Sequence, residues 1–347
     1  MNLNKIYFYL TFAALLLSCI SCSSDTVSVS LKISGQGYLI IPAKYGSSQC
    51  ETNLLPLVSF CSNFITQSSE ESDFCGVTFI GENYYVGGKQ YAAQFQLGNA
   101  QAKLNFTNPY KQSSSYLKNA LCFGKKDSSN QDNVVEELFQ QGFIKEQRFY
   151  VQVNSTNATQ GVIGSIDIGS PNLSLIKKGS QLVYLKHYGT IYATPLDRFL
   201  YYGDAYLDQG SGVGVGFDLQ SPYTQIGIAS INFIVKQLQE QSIGYEYHFD
   251  TTNKDYTFNV DSIEKLKNIS LNVITYNESQ FKITIKPQDY TRKLQNGKYQ
   301  VLLYPLTQST FISLGYSVLQ SYYIGFDLAT QTYLISEKSQ INTTDQF

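Results

Sequence analysis

The stretch with the clearest chemical potential is Gly212-Val213-Gly214-Val215-Gly216-Phe217-Asp218-Leu219-Gln220-Ser221-Pro222-Tyr223. A run of valine and glycine drives into a lone carboxylate, and a hydroxyl follows three positions later at Ser221. The pattern predicts a buried strand that ends at Asp218 and then turns. A carboxylate at the end of an apolar strand is costly unless hydrogen-bonded, so Asp218 is either satisfied structure or a functional acid. Other chemistries find less support. His187 and His248 have no Gly-x-Ser-x-Gly partner, which argues against serine or cysteine hydrolysis. No Gly-Lys-Ser/Thr follows the glycines before Asp218, so they are not a phosphate loop.

The elements around this stretch read as short strands. Alternation or apolar runs predict them over 27–33, 38–43, 52–60, 78–85, 91–97, 101–106, 149–153 and 161–168 in the first half. The second half follows with 181–186, 190–193, 199–202, 256–260, 269–274, 281–285, 299–304, 311–314, 321–327 and 332–335. Pro56 is expected to end or demote its strand. Two segments have helical spacing: 134–142, with Asp132 or Asn133 to cap it and Gly142 to end it, and 228–238. Many short strands, few helices and no βαβ alternation predict an all-β protein of sandwich or barrel type, and the similar order of elements in both halves suggests a duplicated lobe.

The N-terminus has the form of a secretory signal peptide over 1–23, with Lys5, an apolar core over 6–17 and small residues beyond it. Leu16-Leu17-Ser18-Cys19 also has the form of a lipoprotein box. No second apolar span exists, so no stable membrane span is expected. Cys50, Cys61, Cys75 and Cys122 follow the leader and are expected to form disulfides, with the pairing open. Their spacing fits no metal site, and no cofactor is implied. The net charge is −2 over 347 residues, which gives no electrostatic case for nucleic acid. Sequons at Asn105, Asn154, Asn157, Asn172, Asn268, Asn277 and Asn342 are candidate glycan sites.

The order of these pieces resembles the pepsin-like aspartic proteases over most of the chain. The resemblance rests first on Phe311-Ile312-Ser313-Leu314-Gly315-Tyr316-Ser317-Val318-Leu319-Gln320-Ser321-Tyr322-Tyr323-Ile324-Gly325-Phe326-Asp327, where Tyr316 replaces the family's usual aspartate. It rests also on Gln141-Gly142-Phe143-Ile144, Ala120-Leu121-Cys122-Phe123-Gly124, Leu266-Lys267-Asn268-Ile269 and Lys286-Pro287-Gln288-Asp289-Tyr290. It implies a two-lobed, all-β pepsin-like fold of double-psi barrels with few short helices. The lobes would run over 24–168 and 169–337, with a polar tail over 338–347.

In that family one aspartate per lobe sits in a D-[TS]-G-[ST] turn, and the two share one proton at the floor of a peptide cleft. Asp218-Leu219-Gln220-Ser221 resembles the second turn, with Gln220 in place of glycine. For the first turn the preferred placement is Lys44-Tyr45-Gly46-Ser47-Ser48, which puts Lys44 at the acid's position. A rival placement at Pro56-Leu57-Val58-Ser59 puts proline there. Asp25-Thr26-Val27-Ser28 also resembles the motif but follows the leader with no strand before it. Tyr85 and Gly87 would lie in the flap hairpin and, with Ser221, touch substrate. The resemblance thus implies a secreted, monomeric peptidase homologue that holds a peptide or protein ligand in its cleft and lacks one catalytic acid. The alternatives are an active endopeptidase whose second acid lies elsewhere, for which Asp73 is the candidate, and an unrelated secreted β protein with an adhesive surface.

Overall fold

Thr26–Ile33 turns Val27, Val29 and Leu31 inward and Ser28, Ser30 and Lys32 outward. That period of two covers a core with one face of a strand, and it recurs through the chain. In the computed structural model the described residues are 25–58, 63–65, 75–83, 88–109, 119–124, 133–154, 161–189, 192–250, 255–307 and 310–339. The expected signal peptide and most of the polar tail lie outside them.

The strands form sheets of 13, eight and four members. The largest carries the first-half strands and, next to its edge strand Val183–Tyr184, the hairpin of Tyr322–Asp327 and Thr332–Glu337, which returns to pair with Arg148–Val153. The last strands in sequence are therefore built into the same sheet as the first. The eight-stranded sheet holds Gly214–Asp218 and Phe311–Gly315 at its centre. The seam between the halves is aromatic: Phe149 stacks on Phe326 at 4.4 Å, and Tyr333 meets Phe326 at 5.1 Å. Lys338, placed by sequence in the polar tail, is buried here and donates to the Val153 carbonyl at 2.7 Å.

Helix α1, Val134–Gln140, starts where Asn133 Oδ1 accepts from the N–H groups of Val135 and Glu136. It stops two residues before Gly142, whose φ of 77° continues no right-handed turn. Helix α2, Ile228–Glu240, buries Ile231, Ile234 and Leu238 along one face. Pro56 does not break its strand: Cys50–Leu57 continues through it. The pairing with Leu39–Tyr45 ends at Leu54, so no ladder bond on that side needs the missing N–H. Of the strand expected over 190–193, residues 190 and 191 lie outside the described residues, and Thr194–Tyr202 runs as one strand. Cys50 pairs with Cys75, and Cys122 is also disulfide-bonded.

Candidate functional site

Asp218 is the last residue of Gly214–Asp218, which runs parallel to Phe311–Gly315 with Asp218 opposite Gly315. The chain then turns and returns as Thr224–Gly227, on the far side of Phe311–Gly315. The turn crosses so close to Gly315 that a Cβ there would lie 2.5 Å from the Pro222 carbonyl oxygen. Only glycine leaves room for this crossing. The Thr224 hydroxyl accepts from the Gly315 N–H at 3.4 Å and closes it.

The first half repeats the crossing. Cys50–Leu57 runs parallel to Asn119–Cys122, with Leu57 opposite Cys122. Asn63 Oδ1 accepts from the Cys122 N–H at 2.8 Å, as the Thr224 hydroxyl does from Gly315. Phe64 pairs antiparallel with Ala120, and Gln225 with Ser313, each two residues before the end of the inserted strand. Asn63 lies six residues after Leu57, and Thr224 six after Asp218. These registers agree on one equivalence: Leu57 stands where Asp218 stands in the second half. Leu57 is buried against Phe64 and Ala120.

This corrects the placement of Lys44. Lys44 lies inside Leu39–Tyr45, opposite Glu51, and its ammonium pairs with Glu51 at 3.3 Å while half-exposed. Gly46-Ser47-Ser48 is the turn that joins this strand to Cys50–Leu57, and it resembles the motif only in composition. The rival placement was one residue short, since Pro56 pairs with Leu121 and Leu57 takes the final position. Asp25 lies at the start of Thr26–Ile33 and pairs with Lys145. Tyr85, Gly87 and Asp73 lie outside the described residues.

Around Asp218 the groups are backbone donors and phenols. Gln220 N donates to Asp218 Oδ1 at 2.7 Å. Burial raises the carboxyl above its ordinary 3.8, and the N–H groups of Gln220 and Ser221 draw it back only in part. Among the described residues no second carboxyl group or cation bonds to it. Tyr333 stands behind it, accepting from Phe217 N at 3.3 Å and donating to the Tyr192 carbonyl at 2.7 Å. The Ser221 hydroxyl accepts from Tyr223 N at 3.1 Å, and its carbonyl accepts from Tyr316 N at 2.9 Å. Tyr316, at the position the resemblance gives to aspartate, donates its hydroxyl across the halves to the Gly37 carbonyl.

The sequence reading missed Tyr223, Arg292 and Gln300 beside this turn. Gln300 Nε2 donates to the Tyr223 hydroxyl at 2.8 Å, and Arg292 Nη2 donates to Gln300 Oε1 at 2.6 Å. Among the described residues no group of three His, Cys, Asp or Glu side chains is placed to hold a metal ion. Nor is any helix there long and apolar enough to cross a membrane.

The raised carboxyl gives a pH signature. A group whose folded value lies above its unfolded one stabilises below the unfolded value, and that stability is lost as pH rises through the folded value. Asp218→Asn removes this ionisation. The variant's melting temperature relative to the parent is expected to climb as pH rises from about 3 to about 7. A gap that stays flat across that range would contradict the burial of an unpaired acid here.

The profile of the eukaryotic aspartyl protease family matches residues 120–338, more than half of the chain. The matched range begins after Cys50–Leu57, so the strand that ends at Leu57 lies outside it. The aspartic proteinase from Irpex lacteus has a solved structure similar in fold. Its TM-score is 0.69 at 12% identity, over 92% of this chain and 99% of that one. No curated protein sequence matches.

Proposed function

This chain belongs to the eukaryotic aspartyl protease family, and from that premise we propose that it is a secreted member that has lost peptidase chemistry and keeps a peptide-binding cleft. The observation that carries this reading is Leu57 in the place equivalent to Asp218. Peptide hydrolysis at such a site needs one carboxylate to take a proton from water while a neighbouring carboxylic acid protonates the scissile carbonyl. A leucine does neither. Residues 57–63 contain no Asp or Glu, so no local shift of register restores the second acid. With one group left, Asp218 can offer a proton or accept one, but it cannot do both on the same substrate.

The second turn has changed in keeping with that loss. Leu219 and Gln220 stand where the family places a hydroxyl residue and glycine, and Leu219 is buried. What persists is the geometry that would hold an extended chain: two similar crossings, and polar groups at the rim of one of them. Secretion is supported by the apolar run over 6–17 and by the disulfides.

The test is a peptidase assay on the purified full-length chain with a mixed pool of peptides, from about pH 3 to about pH 7. No cleavage is expected at any pH. Cleavage that a statine-type transition-state mimic blocks, and that Asp218→Asn abolishes, would overturn the proposal.

A further inference from the structure

The sequence contains three arginines: Arg148, Arg198 and Arg292. Arg148 pairs with Asp327 and Arg198 with Asp208. Arg292 has no carboxylate partner among the described residues, although it is half-buried. It sits on the edge strand Thr291–Lys293, opposite Gln300. Among the described residues its guanidinium donates to Gln300 Oε1 at 2.6 Å. A guanidinium carries five N–H donors in a fixed fork, so among the described residues most of its capacity is unused.

The place of this cation matters. Gln300 passes the contact on to Tyr223, Tyr223 N bonds the Ser221 hydroxyl, and Tyr316 N bonds the Ser221 carbonyl. These residues form the rim of the turn that carries Asp218. Burial raises the phenols of Tyr223 and Tyr316, and the nearby charge of Arg292 draws both back in part, in keeping with its place one hydrogen-bonded residue away from Tyr223. A neutral amide would serve the bond to Gln300 as well. The positive charge is therefore left for something that comes to the rim.

We propose that Arg292 binds a carboxylate of the peptide held beside Asp218, so that the cleft selects extended peptides with an acidic group at one fixed position. This rests on the peptide-binding reading above. The fork of a guanidinium matches both oxygens of a carboxylate. The carboxylate is either an Asp or Glu side chain or the C-terminus of the peptide.

The experiment uses the full-length chain and fluorescein-labelled heptapeptides randomised over apolar residues. Glutamate is fixed at each position in turn, with a glutamine twin for every pool, and each pool is made as free acid and as C-terminal amide. Fluorescence polarisation reads binding to the parent, Arg292→Gln and Arg292→Lys, and thermal melts confirm that the variants fold. One glutamate position is expected to bind about tenfold tighter than its glutamine twin. That ratio should fall to about one in Arg292→Gln and survive in part in Arg292→Lys. A preference for free acid over amide, lost in the same variant, supports the proposal with the C-terminus as the source. Twins that bind alike, or a ratio that survives Arg292→Gln, overturn it while peptide binding stands. Failure of every pool to bind overturns both readings.

Discussion

Replacing Gly315 with alanine is expected to lower the unfolding free energy by about 3 kcal/mol and to displace the turn that carries Asp218. The added Cβ would lie 2.5 Å from the Pro222 carbonyl oxygen and 2.6 Å from the carbonyl carbons of Pro222 and Tyr223. All three are backbone atoms, so no side chain can rotate away. The turn itself must move. It is held there by Ser317, whose hydroxyl donates to the Pro222 carbonyl at 2.7 Å, and by Tyr316 N on the Ser221 carbonyl. Strain at this crossing therefore spreads to the rim where Tyr223, Gln300 and Arg292 meet. Chemical denaturation reads the loss of stability, and the glutamate preference of bound peptides reads the loss of geometry. Gly35→Ala is the control, since nothing lies within 4 Å of its added Cβ and its φ is not in the left-handed region. An equal, small effect at both glycines would mean that the crossing is looser than described.

That crossing also marks where the sequence was legible and where it was not. The strand into Asp218 and the turn after it could be read because valine, glycine and a terminal carboxylate each limit what the backbone can do there. Helix α1 could be read from its cap and its stop, since Asn133 and Gly142 act through local backbone geometry. The fold-level resemblance was legible for the same reason in the strand, turn and strand of 311–327. Leu57 was not legible. A leucine in an apolar run carries no chemical signal, and its equivalence to Asp218 exists only in strand registers and the side-chain bond of Asn63. Gly46-Ser47-Ser48 misled because a hairpin turn and a catalytic turn call for the same small residues. Arg292 stayed hidden because its neighbours come from separate stretches of chain, around 223, 300 and 316, that only the tertiary fold brings together.

The other large effect is expected at the seam between the halves. Phe326→Ala should cost about 4 kcal/mol, and the whole chain should still unfold in one transition. Phe326 is fully buried, with its ring parallel to Phe149 of the first half at 4.4 Å and edge-on to Tyr333 at 5.1 Å. Truncation leaves a ring-sized hole that the strands on either side cannot close, because both are tied into the same 13-stranded sheet. Phe326→Leu fills much of that hole and should cost about 1.5 kcal/mol. The damage should also reach the site. Tyr333 packs its ring on Phe217 at 4.9 Å and accepts from the Phe217 N–H, one residue before Asp218. Loss of Phe326 frees Tyr333 to tilt and so loosens the strand that presents the acid. Denaturation followed by near-ultraviolet circular dichroism and by peptide binding separates the possibilities. Coincident transitions for both signals, shifted together, are expected. If the halves instead unfold in two steps, with only one moved by the substitution, the last hairpin does not join them in the way its pairing with Arg148–Val153 requires.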